Sequence, residues 1–232
     1  MAQILSAEPA QALRRPESPA DYLYAIVEGL PRGWRPPATG VGAAPVVTRP
    51  LRGLILITSE VDAIPRPTPR TVALHAEVVS ATLEAEAVFP LEFGTVVPAA
   101  EVDAWLAPHL ALVRVHLSRL RRHLEMTLRL VSLSAEAGVE ASLRTTAQRL
   151  VERAGVTEWR YRDEGTGGRS SSLAFLVPRD GVGDFLARVA PVAARAGTIA
   201  VVPTGPSAPS SFTPRLPMPA SGHFPSSLAR AG

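Results

Sequence analysis

The sequence predicts an α+β protein of two small domains, each a mixed or antiparallel sheet with helices on one face. Segments with a two-residue hydrophobic period alternate with segments of helical period, and Gly or Pro separates most of them. The 232 residues, 46% of them hydrophobic, suffice for two cores. We predict a flexible N-terminus, an N-terminal domain, a long connecting helix, a C-terminal domain and a Pro/Ser-rich tail over 1–19, 20–98, 99–123, 124–204 and 205–232.

The N-terminal domain is predicted to have the element order β-β-β-α-β. Short apolar runs bounded by turn residues predict strands at 22–28, 46–48 and 54–58. The prolines over 65–69 exclude a helix interior, so the helix is expected at about 70–86.

The fourth strand is predicted over 88–97, because this segment also has a period of two. Pro98 ends it, since proline has no N–H to donate to a neighbouring strand. The residues expected to share one of its faces are Phe89, Leu91, Phe93, Thr95 and Val97.

The connecting helix over 99–123 has a heptad-like apolar stripe that could pack between the domains or against a partner helix. Pro108 lies within it and predicts a kink or a late start. The stripe consists of Val102, Leu106, Leu110, Val113, Leu117, Leu120 and Leu124.

The C-terminal domain is predicted to follow the order β-α-β-β-α-β, which is that of a ferredoxin-like split βαβ unit. Its strands are expected at 124–131, 158–162, 173–177 and 199–202, and its helices at 135–154 and 182–195. The glycine-rich residues 163–169 are expected to form a hairpin loop, and residues 204–232 to be disordered.

The composition narrows the class of protein. The chain has no cysteine, which excludes disulfides and thiolate metal sites, and its net charge of +3 is modest for a nucleic-acid binder. No apolar run approaches the roughly 18 residues of a membrane span. We therefore expect a soluble cytoplasmic protein without nucleic-acid or membrane partners.

Three histidines, His109, His116 and His123, recur every seven residues on the connecting helix. Residues seven apart lie about 10.5 Å apart on a helix, too far to share one zinc ion. We expect them to flank a packed seam; the alternative is pH-sensitive self-association. A fourth, His75, is expected to be buried and hydrogen-bonded among apolar neighbours.

No motif indicates catalysis. The segment Gly165–Ser170 resembles a phosphate cradle, but it lacks the lysine of a P-loop and joins two predicted strands. A basic stretch from Arg114 to Arg129 fits a solvated helix face better than a nucleic-acid site, because few aromatic residues accompany it. We predict no enzyme, no catalytic or metal-binding residue and no cofactor.

Four segments together resemble the gas vesicle protein L/F family of assembly accessory proteins. The helix with Leu74 to Val79, followed by the Phe-Gly-Thr strand over 88–96, is the most specific match. The other similar segments are 22–28, 54–61 and the closing 204–212, which lacks the family's tryptophan and tyrosine.

The resemblance implies two α+β domains and a non-enzymatic role in gas vesicle formation. Its expected partners are the small hydrophobic shell protein, kept from aggregating and helped to nucleate the vesicle, and other accessory proteins. The candidate contact residues, each of which could instead be ordinary core, are Phe89, Leu91, Phe93, Leu106, Leu110, Val113, Leu117 and Leu120. A Leu117→Asp variant is expected to lose the shell protein while the fold survives.

Two other functions remain open at this point. A ferredoxin-like regulatory module could bind a small metabolite at a sheet edge, and only the glycine-rich hairpin around Gly167 favours it. An RNA-binding α+β domain is disfavoured by the sparse aromatics on the strands. The sequence does not separate the L and F types.

Overall fold

The computed structural model describes residues 19–134, 139–164 and 169–218. They form two antiparallel sheets with helices, which confirms the mixed α+β class. The strands are β1 (Ala20–Glu28), β2 (Val47–Leu51), β3 (Leu54–Val61), β4 (Ala87–Pro90), β5 (Val96–Pro98), β6 (His123–Ser132), β7 (Trp159–Glu164), β8 (Ser170–Pro178) and β9 (Ile199–Ser207). The helices are α1 (Pro69–Ala81), α2 (Val102–Leu106), α3 (Leu110–Leu120), α4 (Val139–Ala154) and α5 (Val182–Ala194).

The first sheet has five strands in the order β2-β3-β1-β4, and β5 also pairs with β1. A two-residue turn, Arg52 and Gly53, joins β2 to β3 with both φ angles positive, at 51° and 80°. This geometry matches the right-handed twist of a hairpin and explains the glycine. The strand β1 lies at the centre of the sheet, hydrogen-bonded on both sides.

Helix α1 begins where its sequence provides a cap. The hydroxyl of Thr68 accepts a hydrogen bond from the N–H of Thr71 at 3.2 Å, and the Thr71 hydroxyl accepts one from the N–H of Thr68 at 2.9 Å. Pro69 occupies the first helical position, where its missing N–H costs nothing. The helix covers one face of the first sheet through Val78 and Val79.

Helices α2 and α3 cover the other face of the same sheet. Along β1, Tyr22 and Tyr24 face α1, whereas Leu23 and Ile26 face α2 and α3. This double cover explains why β1 is apolar on both sides rather than alternating.

The segment predicted as one strand over 88–97 is two strands separated by a turn. Gly94 has φ +86°, and the N–H of Thr95 donates to the carbonyl of Glu92 at 3.1 Å. The turn reverses the expected facing of Phe93, which packs against the α1 side while Phe89 and Leu91 belong to the opposite core.

The helix predicted over 99–123 is likewise divided. A 3-10 turn at Ala107–His109, which contains Pro108, separates α2 from α3, and the chain is extended again from His123. Proline cannot donate the helical hydrogen bond at this point, so the predicted kink becomes a break. Both pieces pack on the first sheet, and the end of α3, at Leu120, also contacts the second unit.

The second sheet has the strand order β7-β8-β6-β9. Helices α4 and α5 lie together on one face, over a core that includes Leu128, Leu150, Phe175 and Phe185. The elements from β6 to β9 follow the order β-α-β-β-α-β.

The tail predicted from 205 onwards is ordered through 218 in this structure. Residues up to Ser207 complete β9, and a 3-10 turn follows at Ser210–Phe212. The expectation of disorder is wrong for this part, because its few apolar residues find buried partners in both units. Residues 219–232 lie outside the described residues.

The two units share a seam at the end of α3. Leu120 packs with Ala174, Leu176 and Phe212 of the second unit. The backbone of Arg122 donates to Glu86 and accepts from Arg179. The seam therefore combines a small apolar cluster with main-chain hydrogen bonds.

Candidate functional site

Two motifs that are more than a hundred residues apart in sequence meet at one cleft. It lies between the loop over 90–95 and the segment over 210–218, with a volume of about 190 Å³. The lining residues are Pro90, Leu91, Glu92, Phe93, Gly94, Thr95, Ser210, Thr213, Pro214, Arg215, Leu216 and Met218. The loop belongs to the 88–96 segment that carries the family resemblance, whereas the other side follows directly on the closing family segment 204–212 and shares Ser210 with it.

An aromatic cluster supports the loop side of the cleft. The Tyr22 hydroxyl accepts a hydrogen bond from the N–H of Gly94 at 3.1 Å and shares another with Nδ1 of His75 at 2.9 Å. Burial raises the pKa of Tyr22 and lowers the pKa of His75, so both groups are neutral at physiological pH. The hydrogen bond expected for His75 is thus present, and it joins α1 to β1.

Residues 208–218, here called the strap, form the other side. The carboxylate of Glu125 accepts hydrogen bonds from the N–H and the hydroxyl of Ser211, both at 2.8 Å. Arg119 donates to the carbonyl of Phe212 at 2.6 Å, and the Arg160 guanidinium lies 5.3 Å from the centre of the Phe212 ring. Burial is the main cause that raises the pKa of Glu125.

The end of the strap returns to the first unit. The indole N–H of Trp105 donates to the carbonyl of Pro217 at 2.8 Å, and Arg215 pairs with Glu92 at 2.5 Å. Leu216 packs against the core under α2 and α3. Sequence reasoning missed these contacts because proline and serine dominate the segment; its only signal was the closing family element.

The eight contact residues predicted from sequence do not form an exposed surface. The structure buries Phe89, Leu91, Leu106, Val113, Leu117 and Leu120, and leaves only Phe93 and Leu110 partly accessible. The apolar stripe faces the sheet because the sheet provides a matching apolar face. The predicted surface is therefore corrected to core at six positions, and Leu117→Asp is expected to damage the fold itself.

The opposite side of α3 offers exposed apolar side chains instead. Leu112 and Val115 are 41% and 67% exposed. Arg114 of the same helix donates to the carbonyl of Arg52 at 2.9 Å, which holds α3 beside the β2–β3 turn. Strand β2 is an edge strand, and its Val47 is 48% exposed. Sequence reasoning missed this face because it followed the longer buried stripe.

The three histidines predicted on one helix have separate surroundings, because His109 ends the 3-10 turn, His116 lies in α3 and His123 begins β6. The His109 ring contacts Trp105, the His116 ring contacts Phe89, and Nδ1 of His123 is 2.8 Å from the carbonyl oxygen of Arg121. Within the described residues, no group of three or more His, Asp or Glu side chains could hold a metal ion. Most of the glycine-rich loop, residues 165–168, lies outside the described residues.

No helix in the described parts of the chain is long and apolar enough to cross a membrane.

A family model and two solved structures relate this chain to the same group of proteins. The family model described as gas vesicle synthesis protein GvpL/GvpF matches residues 20–157, more than half of the chain. A comparison with curated proteins finds no match.

Two solved structures have a similar fold. The gas vesicle protein GvpF from Anabaena sp. PCC7120 gives a TM-score of 0.72 at 16% identity, over 85% of this chain and 99% of that one. GvpF from Microcystis aeruginosa gives 0.68 at 16% identity, over 83% of this chain and 98% of that one.

Proposed function

Since the chain belongs to the gas vesicle synthesis protein GvpL/GvpF family, we propose that it is a non-enzymatic assembly factor and minor component of the gas vesicle. Its place of action is the cytoplasm and the forming vesicle. Family membership confirms the resemblance drawn from the sequence and supports a gas-vesicle-related role; the client, the contact surface and the absence of catalysis are parts of the proposal.

The proposed client is the small hydrophobic shell protein. A subunit with an apolar face aggregates in water unless a partner covers that face until assembly. The observation that carries the proposal is the exposed apolar side of α3, with Leu112 and Val115. The edge strand β2 of the same sheet is also exposed at Val47. A helix face and an open strand edge are two common ways to bind an apolar segment.

The division of labour within the chain is also a proposal. The first unit, in which α2 and α3 are included, presents this surface. The second unit, which we infer to be ferredoxin-like from its element and strand order, contacts other accessory proteins. The strap ties the two together.

Co-expression with the shell protein tests the proposal. The double variant Leu112→Asp/Val115→Asp is expected to reduce the shell protein that stays in solution and co-elutes on a sizing column by about tenfold, because two carboxylates would have to lose water at the contact. The matched control is Val72→Asp on α1, whose side chain is 45% exposed on the opposite side of the sheet.

Thermal melts followed by circular dichroism establish that both variants are folded. The proposed role of this face is wrong if the α3 variant keeps the shell protein in solution as well as the native chain does. The wider proposal is wrong if the native chain neither holds the shell protein in solution nor co-elutes with it.

The metabolite-binding alternative has no specific observation in its favour, since the loop that suggested it lies almost wholly outside the described residues. A thermal-shift screen with small metabolites remains its test.

A further inference from the structure

A second surface, on the far side of the second unit, has a different chemistry. Helices α4 and α5 enclose a groove of about 470 Å³, here called the arginine groove. Its lining residues are Thr146, Arg149, Glu152, Arg153, Arg188, Pro191, Val192, Arg195 and Ala196. The lining thus contains four arginines, one carboxylate and several apolar side chains.

The positive charges of this groove are not balanced within the fold. Arg149, Arg153 and Arg195 form no ion pair or side-chain hydrogen bond with any other residue in the described part of the chain. Arg188 has one long contact, 3.4 Å, to the carbonyl of Ala154 at the end of α4. The only carboxylate, Glu152, already accepts from the Gln148 amide at 3.0 Å.

The arginines near the seam are in a different situation. Arg121 pairs with Glu28 and Glu86, and Arg179 donates to the carbonyls of Leu83 and Ala85. Charge is therefore neutralised or hydrogen-bonded where the two units meet and left uncompensated in the groove. Like charges four residues apart on a helix, such as Arg149 and Arg153, repel each other and weaken the helix unless an anion lies between them.

We propose that the arginine groove binds an acidic helical segment of a partner protein. Arg149 and Arg153 are about 6 Å apart along α4. Arg188 lies within α5, and Arg195 follows directly after its last residue. The four arginines are spread along two helices, and carboxylates repeated every turn of a helical segment match this spacing. Guanidinium groups also form bidentate hydrogen bonds with carboxylates.

The rest of the lining supports a protein segment over nucleic acid. Pro191, Val192 and Ala196 provide an apolar floor for a side chain between the carboxylates. None of the lining residues is aromatic, so the groove lacks the stacking platform that binds bases. The site lies on α4 and α5, away from the apolar side of α3, so it does not depend on shell-protein binding.

Fluorescence anisotropy with the full chain tests the groove. The probe is a synthetic helical peptide with glutamates at positions i, i+4 and i+8 and leucines between them; a matched peptide carries glutamines. Arg149→Glu/Arg153→Glu is expected to raise the Kd for the glutamate peptide by about tenfold or more, and most at low salt. The control Arg32→Glu/Arg35→Glu makes the same change of charge on exposed residues of the first unit and should change the Kd by less than about twofold.

A charge swap strengthens the test. A peptide with arginines in place of the glutamates should bind the groove variant and not the native chain. If the groove variant unfolds, Arg149→Gln/Arg153→Gln replaces it; this variant should also bind the glutamate peptide more weakly, but it should not gain binding of the arginine peptide.

The proposal is overturned if the native chain binds the glutamine peptide as tightly as the glutamate peptide. It is equally overturned if Arg32→Glu/Arg35→Glu raises the Kd for the glutamate peptide as much as the groove variant does. It is also overturned if inorganic phosphate or a single-stranded oligonucleotide displaces the peptide at lower concentration than the unlabelled peptide does. If the native chain binds the glutamate peptide but does not bind the shell protein, only the proposed function is contradicted.

Discussion

The two sheets of the molecule are protected from water in different ways. The first sheet has helices on both faces, α1 on one and α2 with α3 on the other, and its central strand β1 is buried along nearly its whole length. The second sheet has helices on one face only, under which Met126, Leu128 and Leu130 of β6 lie. The other face carries polar residues, the strap and the small apolar cluster in which Ala174 and Leu176 contact the end of α3.

This difference shows two ways of fixing a segment on a sheet. Apolar side chains hold α3 on the first sheet, so the free energy that stabilises this contact comes from burial of apolar surface. Mixed contacts fix the strap: one aromatic ring, Phe212, and hydrogen bonds to the buried carboxylate of Glu125. Changes to the apolar contacts of α3 should therefore destabilise the whole first unit. Changes to the contacts of the strap should detach it locally, and its attachment should depend on pH.

The largest effect is expected from a charge in the doubly covered sheet. Leu117 of α3 faces the first sheet and is 1% exposed. Leu117→Asp should lower the free energy of unfolding by about 3–5 kcal/mol, because the substitution removes apolar burial and places a carboxylate in the core. Urea denaturation measures the change. Leu112→Asp on the exposed side of the same helix should stay within about 0.5 kcal/mol of the native value. Similar losses at both positions would contradict the assigned facing of α3.

A smaller and local effect is expected at the strap. Phe212→Ala removes a buried ring from Leu120, Ala174 and Leu176 and should cost roughly 3 kcal/mol. Hydrogen exchange should accelerate over 208–218 while that of α4 and α5 stays unchanged. Thr213→Ala, next to it in the chain, is the control: it removes only the hydrogen bond from the Thr213 hydroxyl to the carbonyl of Ser210 at 3.2 Å and should accelerate exchange much less than Phe212→Ala. Acceleration throughout the second unit would mean that the strap is part of its core.

The pH dependence should distinguish the two sheets further. Burial raises the pKa of Glu125 above its ordinary value, so the protonated form is favoured by folding. Its contribution to stability is therefore present below the ordinary pKa of 4.5 and is lost as the pH rises through the raised pKa of the folded state.

Glu125→Gln keeps an acceptor for Ser211 but cannot ionise. The native chain should therefore lose stability relative to this variant as the pH rises from 4.5 towards neutrality, which thermal melts across that range would measure. The control Glu140→Gln makes the same change of net charge at an exposed residue of α4. A constant difference between the native chain and Glu125→Gln would exclude the role of Glu125.

The smallest effect is expected on the solvent side of α4. Arg144 and Glu140 form an exposed pair at 2.7 Å, and Arg144→Ala should change stability by no more than about 0.5 kcal/mol. Denaturation in low and high salt measures it. A loss of several kcal/mol would mean that α4 is held by its surface charges, rather than by the packing of Leu143, Ala147 and Leu150.

Local chemistry made much of the fold predictable. The Pro-rich approach and Thr68 mark the start of α1, and the two-sided apolar run over 22–28 indicates a strand with cover on both faces. The facing of Phe93 was not predictable, because a single turn at Gly94 reverses it. The two segments that form the cleft could be identified in the sequence, but the sequence did not predict that they lie next to each other.

By itself the sequence determined the α+β class, the order of most elements and the family, since these follow from periodicity, turn residues and motifs that are local in the chain. Tertiary structure decided which side of α3 is buried, where the strap lies and which arginines are left without partners. Each of these depends on what a residue distant in sequence places opposite a side chain, and an amphipathic or Pro/Ser-rich segment does not specify that partner.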